Sequence, residues 1–340
     1  MKNKTRKIII WTLVTLLLLG LTVGGVGMIY AGAEYSGPET RVNIPSGATS
    51  REVRDILESS LGTYGARVYG ILRLREDAPI VIRGSYVVAP GEKALYFARR
   101  IMRGRQNPVR VTFNNLRTFN DLAGRLAQKL EADSADFIAA ADSVFAPAGF
   151  APEEYAAAVL PDTYEFYWTA SAPQVLEKLL STRNQFWNEE RTAAAEALGL
   201  TPVQVATVAS IVEEESNKAD ERPVIARLYL NRLDRGMLLQ ADPTVKFAIG
   251  DFSLRRITAA HLGIDSPYNT YRYAGLPPGP VRIVERATLE AVLNAPQNDY
   301  LYMCAKPDFS GYHDFTNDYH RHRINAARYH RALSARGISE

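Results

Sequence analysis

Arg41-Val42-Asn43-Ile44 leads to Thr49-Ser50-Arg51-Glu52 and on to Val53 and Leu57. The same order returns, at one constant offset, as Arg110-Val111-Thr112-Phe113, then Thr118-Phe119-Asn120-Asp121, then Leu122 and Leu126. Each copy alternates apolar and polar residues for a strand. It then places a Thr three residues before an acid, which is the signature of a capped helix start, and continues with helical apolar spacing. Strand-then-helix units of this kind predict an α+β fold. Two small related modules fit the echo, and so do two unrelated units that share capping chemistry.

Toward the N-terminus, residues 8–30 contain no charge. As a helix they rise roughly 34 Å, enough to cross a hydrocarbon core of about 30 Å. Lys2, Lys4, Arg6 and Lys7 precede them, and Glu34 is the first charge after them. The positive-inside rule then keeps the N-terminus cytoplasmic and everything after Tyr30 outside. A cleaved signal peptide is the alternative; the run is long for one, although Tyr30-Ala31-Gly32-Ala33 offers small residues for cleavage. Gly32 to Thr40 reads as a linker. The expected organisation is a tip, span and start of linker in 1–35, an α+β module in 36–106, a second α+β and helical module in 107–195, and a mixed α/β domain in 196–340.

Within the first module, Gly84 to Gly91 reads as a strand and turn. Lys93 to Met102 reads as a helix with Leu95, Ala98 and Met102 inward and Arg99, Arg100 and Arg103 on a solvated face. Glu131 to Leu200 is Ala-rich and mostly helical, interrupted by Leu160-Pro161-Asp162-Thr163-Tyr164-Glu165-Phe166-Tyr167. Aromatic rings beside carboxylates suit a sugar-binding surface, and they equally suit a core.

The last domain opens on Thr201-Pro202-Val203-Gln204, a capping box with proline in the first helical turn. Val205, Val208, Ile211 and Val212 form the apolar stripe of the helix that follows. Glu215 lies three residues beyond Val212 and four beyond Ile211, so helical spacing puts it on that stripe. Glu214 falls on the polar face and Glu213 between. Desolvation of Glu215, helped by its acidic neighbours, raises its pKa and keeps it protonated near neutrality, as a general acid for a glycosidic oxygen requires. The alternative is a solvated acidic helix end tied to the nearby Asp220, Glu221 and Arg222. A second amphipathic helix spans Val224 to Leu233. Beyond it, 236–245, 268–271, 275–280 and 313–315 read as polar, Gly- and Pro-rich loops suited to the walls of a groove.

The 340 residues carry a formal charge of only +3, which gives no reason to expect a nucleic-acid partner. The single cysteine, Cys304, forms no internal disulfide and reads as a small apolar residue. His313 and His322 lack metal-site spacing. No metal and no cofactor is expected.

Ala209 to Ser216, Asn231-Arg232-Leu233, Leu239 to Val245, Tyr268-Asn269-Thr270-Tyr271 and Gly275 to Pro280 together resemble the endolytic murein transglycosylases of the MltG, YceG-like family. Leu160 to Phe166, His313-Asp314-Phe315 and the N-terminal apolar run fit the same pattern. The resemblance implies a LysM-like module near the membrane and a catalytic domain after it. It implies cleavage of nascent peptidoglycan glycan strands between N-acetylmuramic acid and N-acetylglucosamine, leaving a 1,6-anhydro end. The second acid of the family's Glu-x-Glu is the catalytic one, here Glu215, acting as acid and then as base. Glu213, Gln240, Asp242, Thr244, Tyr268, Asn269, Tyr271, Pro277 and His313 are the expected supporting or sugar-binding residues. The expected partners are glycan strands and, beside them, penicillin-binding proteins or other wall synthases. The chain departs from the family pattern at Asn114-Asn115, where a Glu-Gly pair is usual, and at Val281 to Arg286, where an Asn-Pro turn is usual. A water-using muramidase and a non-catalytic wall-binding scaffold are the rival readings.

Overall fold

In the computed structural model, residues 2–74, 83–254 and 257–337 are described, apart from some side chains of the first helix. They divide into two compact units: Met1–Arg110 with Lys129–Glu131 and Glu165–Ala170, and Val111–Gln128 with Ala132–Tyr164 and Ser171–Glu340. Both later modules expected from the sequence, 107–195 and 196–340, contribute to the second unit.

The first unit contains α1 (Lys2–Ala31), β1 (Thr40–Ile44), α2 (Ser50–Arg73), β2 (Gly84–Val88) and α3 (Ala94–Met102). Thr49 caps α2 as its sequence predicts, accepting from Glu52 N while the Glu52 carboxylate accepts from Thr49 N at 2.7 Å. β1 and β2 pair antiparallel, with Val42 opposite Tyr86. Alternation puts Val42 and Ile44 of β1 into a core with Leu57, Tyr86, Val88 and Phe97. The buried face of α3 is Ala94, Phe97, Ala98 and Ile101; of the expected Leu95, Ala98 and Met102, Ala98 is buried and the other two pack part-buried at its margin, because the Phe97–Ile101 pair, one turn apart, offers the larger apolar surface. Arg100 is not on a solvated face: it is half-buried and pairs with Glu92 at 3.0 Å. The expected linker is also part of the body. Tyr35 is in the core and Tyr35 N donates to Glu92 O at 3.0 Å.

The predicted span 8–30 falls within α1, several of whose side chains lie outside the described residues. Its Ile8, Trp11, Leu13, Leu16 and Leu19 are exposed. Among the described residues, no single helix is long and apolar enough to cross a membrane.

Next come β3 (Val109–Phe113), α4 (Phe119–Ala127), α5 (Ser134–Phe145), β4 (Asp162–Phe166), α6 (Ala172–Phe186) and α7 (Glu189–Ala197). Thr118 caps α4 with Asp121, as the echo predicts. β3 pairs with β4 in a two-stranded sheet. Tyr164 and Phe166 are buried there, and Tyr164 stacks on Phe113 at 5.5 Å between centroids. Two aromatic residues of the 160–167 insertion, Tyr164 and Phe166, are therefore core packing, while Tyr167 is exposed. Between β3 and α4, Asn115 adopts a φ of 50°, a left-handed conformation that Asn tolerates better than most side chains.

The remaining elements are α8 (Pro202–Glu215), α9 (Arg222–Asp234), α10 (Asp242–Ile249), α11 (Ala259–Leu262), α12 (Arg286–Leu293), β5 (Tyr302–Ala305), β6 (His313–Thr316) and α13 (Tyr319–Ala335). α8 packs against α9 and α12. It is buried all round from Val205 to Glu213, not along one stripe. Its polar residues survive burial by local bonding: Thr207 donates to Val203 O at 3.0 Å and Ser210 to Thr207 O at 2.8 Å. Ser210 also accepts from Val281 N at 2.9 Å, fastening the 280s segment to the helix. Gly279 lies so close to the chain that an added Cβ would sit 2.0 Å from Glu153 O.

Candidate active site

The three consecutive glutamates that end α8 meet three different environments. Glu213 is 3% exposed. One of its oxygens lies 3.0 Å from Arg282 Nε, and the other accepts from Thr288 Oγ1 at 2.6 Å and from Glu285 N at 3.1 Å. Glu214 is held between two guanidinium groups, Arg282 at 2.7 Å and Arg117 at 2.8 Å. Arg282 also donates to Asn115 Oδ1 at 2.6 Å. Both acids are thus matched by cations. Arg282 and Asn115 both lie in the stretches that depart from the family pattern.

Glu215 has no such partner. Among the described residues its carboxylate makes one hydrogen bond, accepted from the Tyr229 hydroxyl at 2.8 Å. It forms one wall of a cavity of about 440 Å³. Burial pushes its pKa from the ordinary 4.5 up to about 7; the Tyr229 bond opposes the rise, Asp242 adds to it, and Lys246 and Arg232 oppose it. The expected main cause, desolvation, is the one at work, while the expected help from Glu213 and Glu214 is absent and arginines pair with both. The second carboxylate that matters is Asp242.

The cavity is assembled from separated parts of the chain. α9 supplies Tyr229 and Arg232, the turn before α10 supplies Gln240, α10 itself supplies Asp242, and the loop after α11 supplies Tyr271. The β5–β6 hairpin supplies Tyr302, Cys304 and His313, and α13 supplies Tyr319 and His322. Tyr229 is buried and its hydroxyl is raised well above its ordinary pKa by that burial and by Glu215, so it serves as a proton-bearing donor. Arg232 spends its donors on backbone carbonyls, Leu301 O at 2.7 Å and Leu239 O at 2.7 Å. It thereby ties the hairpin and the 239–242 turn to α9 and leaves a cation beside the cavity. Gln240 takes a φ of 50°, the left-handed region, held there by a bond from its N–H to Thr270 O at 3.1 Å. Tyr271 donates to Asp242 Oδ1 at 2.7 Å. His322 stacks on Tyr302 at 5.3 Å, and burial lowers its pKa. Cys304 is half-buried in the wall, and burial raises its thiol pKa, which disfavours the nucleophilic thiolate.

Of the residues expected from the sequence, Glu215, Gln240, Asp242, Tyr271 and His313 come together around this cavity. The others do not face it. Thr244 is fully buried and bonds to Ala241 O and Thr270. Asn269 is fully buried; its amide donates to Leu262 O and Ile264 O, and its oxygen accepts from Tyr271 N. These residues shape the turns that carry Asp242 and Tyr271. Tyr268 packs against Phe247 with ring centroids 4.7 Å apart and planes tilted by 43°, and lines a separate hollow with Phe119 and Tyr155. Pro277 is buried. Glu213 anchors the 285–288 turn. The segment 236–245 is not all loop, since α10 starts at Asp242 with Pro243 in its first turn.

Sequence reasoning misses Tyr229, Arg232, Tyr302 and Tyr319 as supporting residues, and names His322 only as one reading, a polar contact in a groove, beside an ordinary structural histidine. Tyr229 is legible only as the residue before Leu230-Asn231-Arg232-Leu233. Its meeting with Glu215 depends on how α8 packs on α9.

A carboxyl of raised pKa at the end of a buried helix, lining a polar cavity, is carried here by a fold that other proteins share. The YceG-like family matches residues 42–328, and the chain belongs to that family. Over 148 residues it is 34% identical to an endolytic murein transglycosylase of Bacillus subtilis (strain 168), covering 44% of this chain and 41% of that protein. Over 151 residues it is 31% identical to a protein of the same name from Streptococcus pneumoniae serotype 2 (strain D39), covering 43% of this chain and 27% of the other. The matched regions thus span less than half the length of these curated relatives. A crystal structure of a yceG-like protein from Listeria monocytogenes has the same fold, with a TM-score of 0.56 at 24% identity over 84% of this chain and 98% of that one.

Proposed function

We propose that this chain is an endolytic lytic transglycosylase that cuts peptidoglycan glycan strands between N-acetylmuramic acid and N-acetylglucosamine, with Glu215 as its acid and base. The observation that carries this reading is the contrast within one acidic triplet. Two members are neutralised by Arg282 and Arg117, while the third stands in a polar cavity with a pKa of about 7. The names of the curated relatives support the substrate and the reaction.

In this mechanism Glu215, protonated, gives its proton to the glycosidic oxygen. The bond from that oxygen to the muramic acid anomeric carbon breaks, and the N-acetylglucosamine side departs as an alcohol. Positive charge on the anomeric carbon is relieved by the ring oxygen or the neighbouring acetamido group. Glu215, now ionised, removes the proton of the 6-hydroxyl, whose oxygen bonds to the anomeric carbon and closes the 1,6-anhydro ring. One carboxyl suffices because the nucleophile belongs to the substrate, unlike glycosidases that pair two carboxylates. The Tyr229 hydroxyl steadies Glu215 in its ionised phase.

Asp242 in the same cavity favours a second reading, hydrolysis with an activated water. Product mass separates the two, since the anhydro product is lighter by one water. Glu215→Gln on purified glycan strands is the decisive variant for catalysis: it should abolish strand cutting. Full cutting by that variant would overturn the assignment, and a scaffold without catalysis would cut nothing with either form.

Placement follows from the other end of the chain. The exposed apolar side chains of α1 and the basic residues before them support a membrane anchor at 8–30, with the N-terminus cytoplasmic and the catalytic unit outside. A reporter fused after Glu340 should then be active on the outer side of the membrane and silent if the orientation is reversed. The first unit is read as a LysM-like module that holds wall polymer, and wall synthases such as penicillin-binding proteins as partners that supply new strands.

A further inference from the structure

Glu221 stands beside the cavity and takes no part in the reaction described above. It is 6% exposed and collects three donors. His313 N donates to one oxygen at 2.7 Å. His313 Nδ1 lies 2.9 Å from the other oxygen, and Ser216 Oγ donates to that same oxygen at 3.2 Å. Ser216 directly follows Glu215, so one carboxylate ties the end of α8 to the first residue of β6. A carboxylate receiving this many donors is acceptor-only, and the ring nitrogen facing it must carry a proton. In the neutral imidazole that leaves Nε2 as an acceptor. Among the described residues Nε2 makes no hydrogen bond, while the His313 side chain lines the cavity that holds Glu215.

We propose that Glu221 is a positioning residue that fixes His313 with Nε2 open to the cavity, where Nε2 accepts a hydrogen bond from a hydroxyl or amide N–H of the bound sugar. This role rests on the proposed function and adds a specificity contact to it. The other polar groups around the cavity are largely committed: Arg232 to carbonyls, Tyr271 to Asp242, and Tyr229 to Glu215. His313 offers an oriented acceptor that is not, and orientation by a buried partner is what turns a flexible imidazole into a selective one.

The test measures binding of purified uncrosslinked glycan strands to the full-length Glu215→Gln protein and to further variants in that background. His313→Ala should weaken binding about tenfold, the upper range for one hydrogen bond. Glu221→Gln, whose amide can donate to Nδ1 and so reverse the ring's polarity, should weaken it similarly. The two together should be no weaker than His313→Ala alone. A Glu221 that merely props the fold gives additive losses, which would overturn the proposal, as would binding within twofold of the parent for His313→Ala. Should Glu221→Gln fail to fold, His313→Gln, with an amide near the Nε2 position, should bind near the parent while His313→Asn binds like alanine. Equal weakness of those two variants also overturns it. Failure of the function itself reads out separately, as strand cutting by Glu215→Gln.

Discussion

The Tyr229 hydroxyl donates to Glu215 Oε1 at 2.8 Å, and this is the only hydrogen bond that the Glu215 carboxylate makes among the described residues. Two helices adjacent in sequence, α8 and α9, therefore meet with a phenol of raised pKa against a carboxyl of raised pKa. The phenol bond favours the ionised acid while burial favours the protonated one, and burial wins.

Glu215 must hold a proton in the free enzyme to act as an acid. With its pKa near 7, kcat/KM on glycan strands should be level below neutrality on this group's account. It should fall about tenfold per pH unit well above 7. A profile flat from pH 6 to pH 9 would contradict the assignment.

Tyr229→Phe removes the donor that lowers the Glu215 pKa. The alkaline limb should then move to higher pH, and kcat should drop because the ionised acid of the second step loses its support. The pH–rate profile of the variant, measured beside the parent, checks both. A limb moved to lower pH would show that the bond acts in the opposite sense.

Stability should depend on pH through the same carboxyl. The fold raises the Glu215 pKa from 4.5 to about 7, so across that window the folded protein binds a proton that the unfolded chain has released. Stability attributable to this group therefore falls as pH rises from 4.5 to 7 and is level beyond. Glu215→Gln does not titrate. It should match the parent near pH 4 and exceed it by on the order of 3 kcal/mol at pH 8, since each tenfold change in proton affinity is worth about 1.36 kcal/mol. Urea unfolding of the two proteins at both pH values measures the difference.

Arg282 serves both Glu213 and Glu214 from a side chain that is 9% exposed. Arg282→Met should destabilise the protein by about 3–5 kcal/mol, because it strands a buried carboxylate. Adding Glu213→Gln should recover part of the loss. Denaturant midpoints of the single and double variants report this, and no recovery would place the cost elsewhere.

Gly279→Ala puts a Cβ 2.0 Å from Glu153 O, a backbone atom that cannot swing aside. The variant should melt several degrees lower than the parent, by roughly the 1–3 kcal/mol of overpacking. An unchanged melting temperature would mean that the 275–280 turn moves freely.

What can be read along the chain is whatever neighbours in sequence decide. The capping boxes at Thr49, Thr118 and Thr201 form because donor and acceptor are three residues apart. Helical spacing does not place Glu215, because α8 is buried all round as far as Glu213 and Glu215 is half-buried at the cavity wall. What needs tertiary structure is every pairing made at long range. Arg282 neutralises the first two glutamates from a distant loop, the β5–β6 hairpin closes the far wall of the cavity, and Thr244 and Asn269 turn inward to build turns instead of touching ligand. Residue identity names a carboxyl, but its proton affinity is set by the groups that surround it in space. For Glu215 those groups come from parts of the chain whose meeting only packing decides.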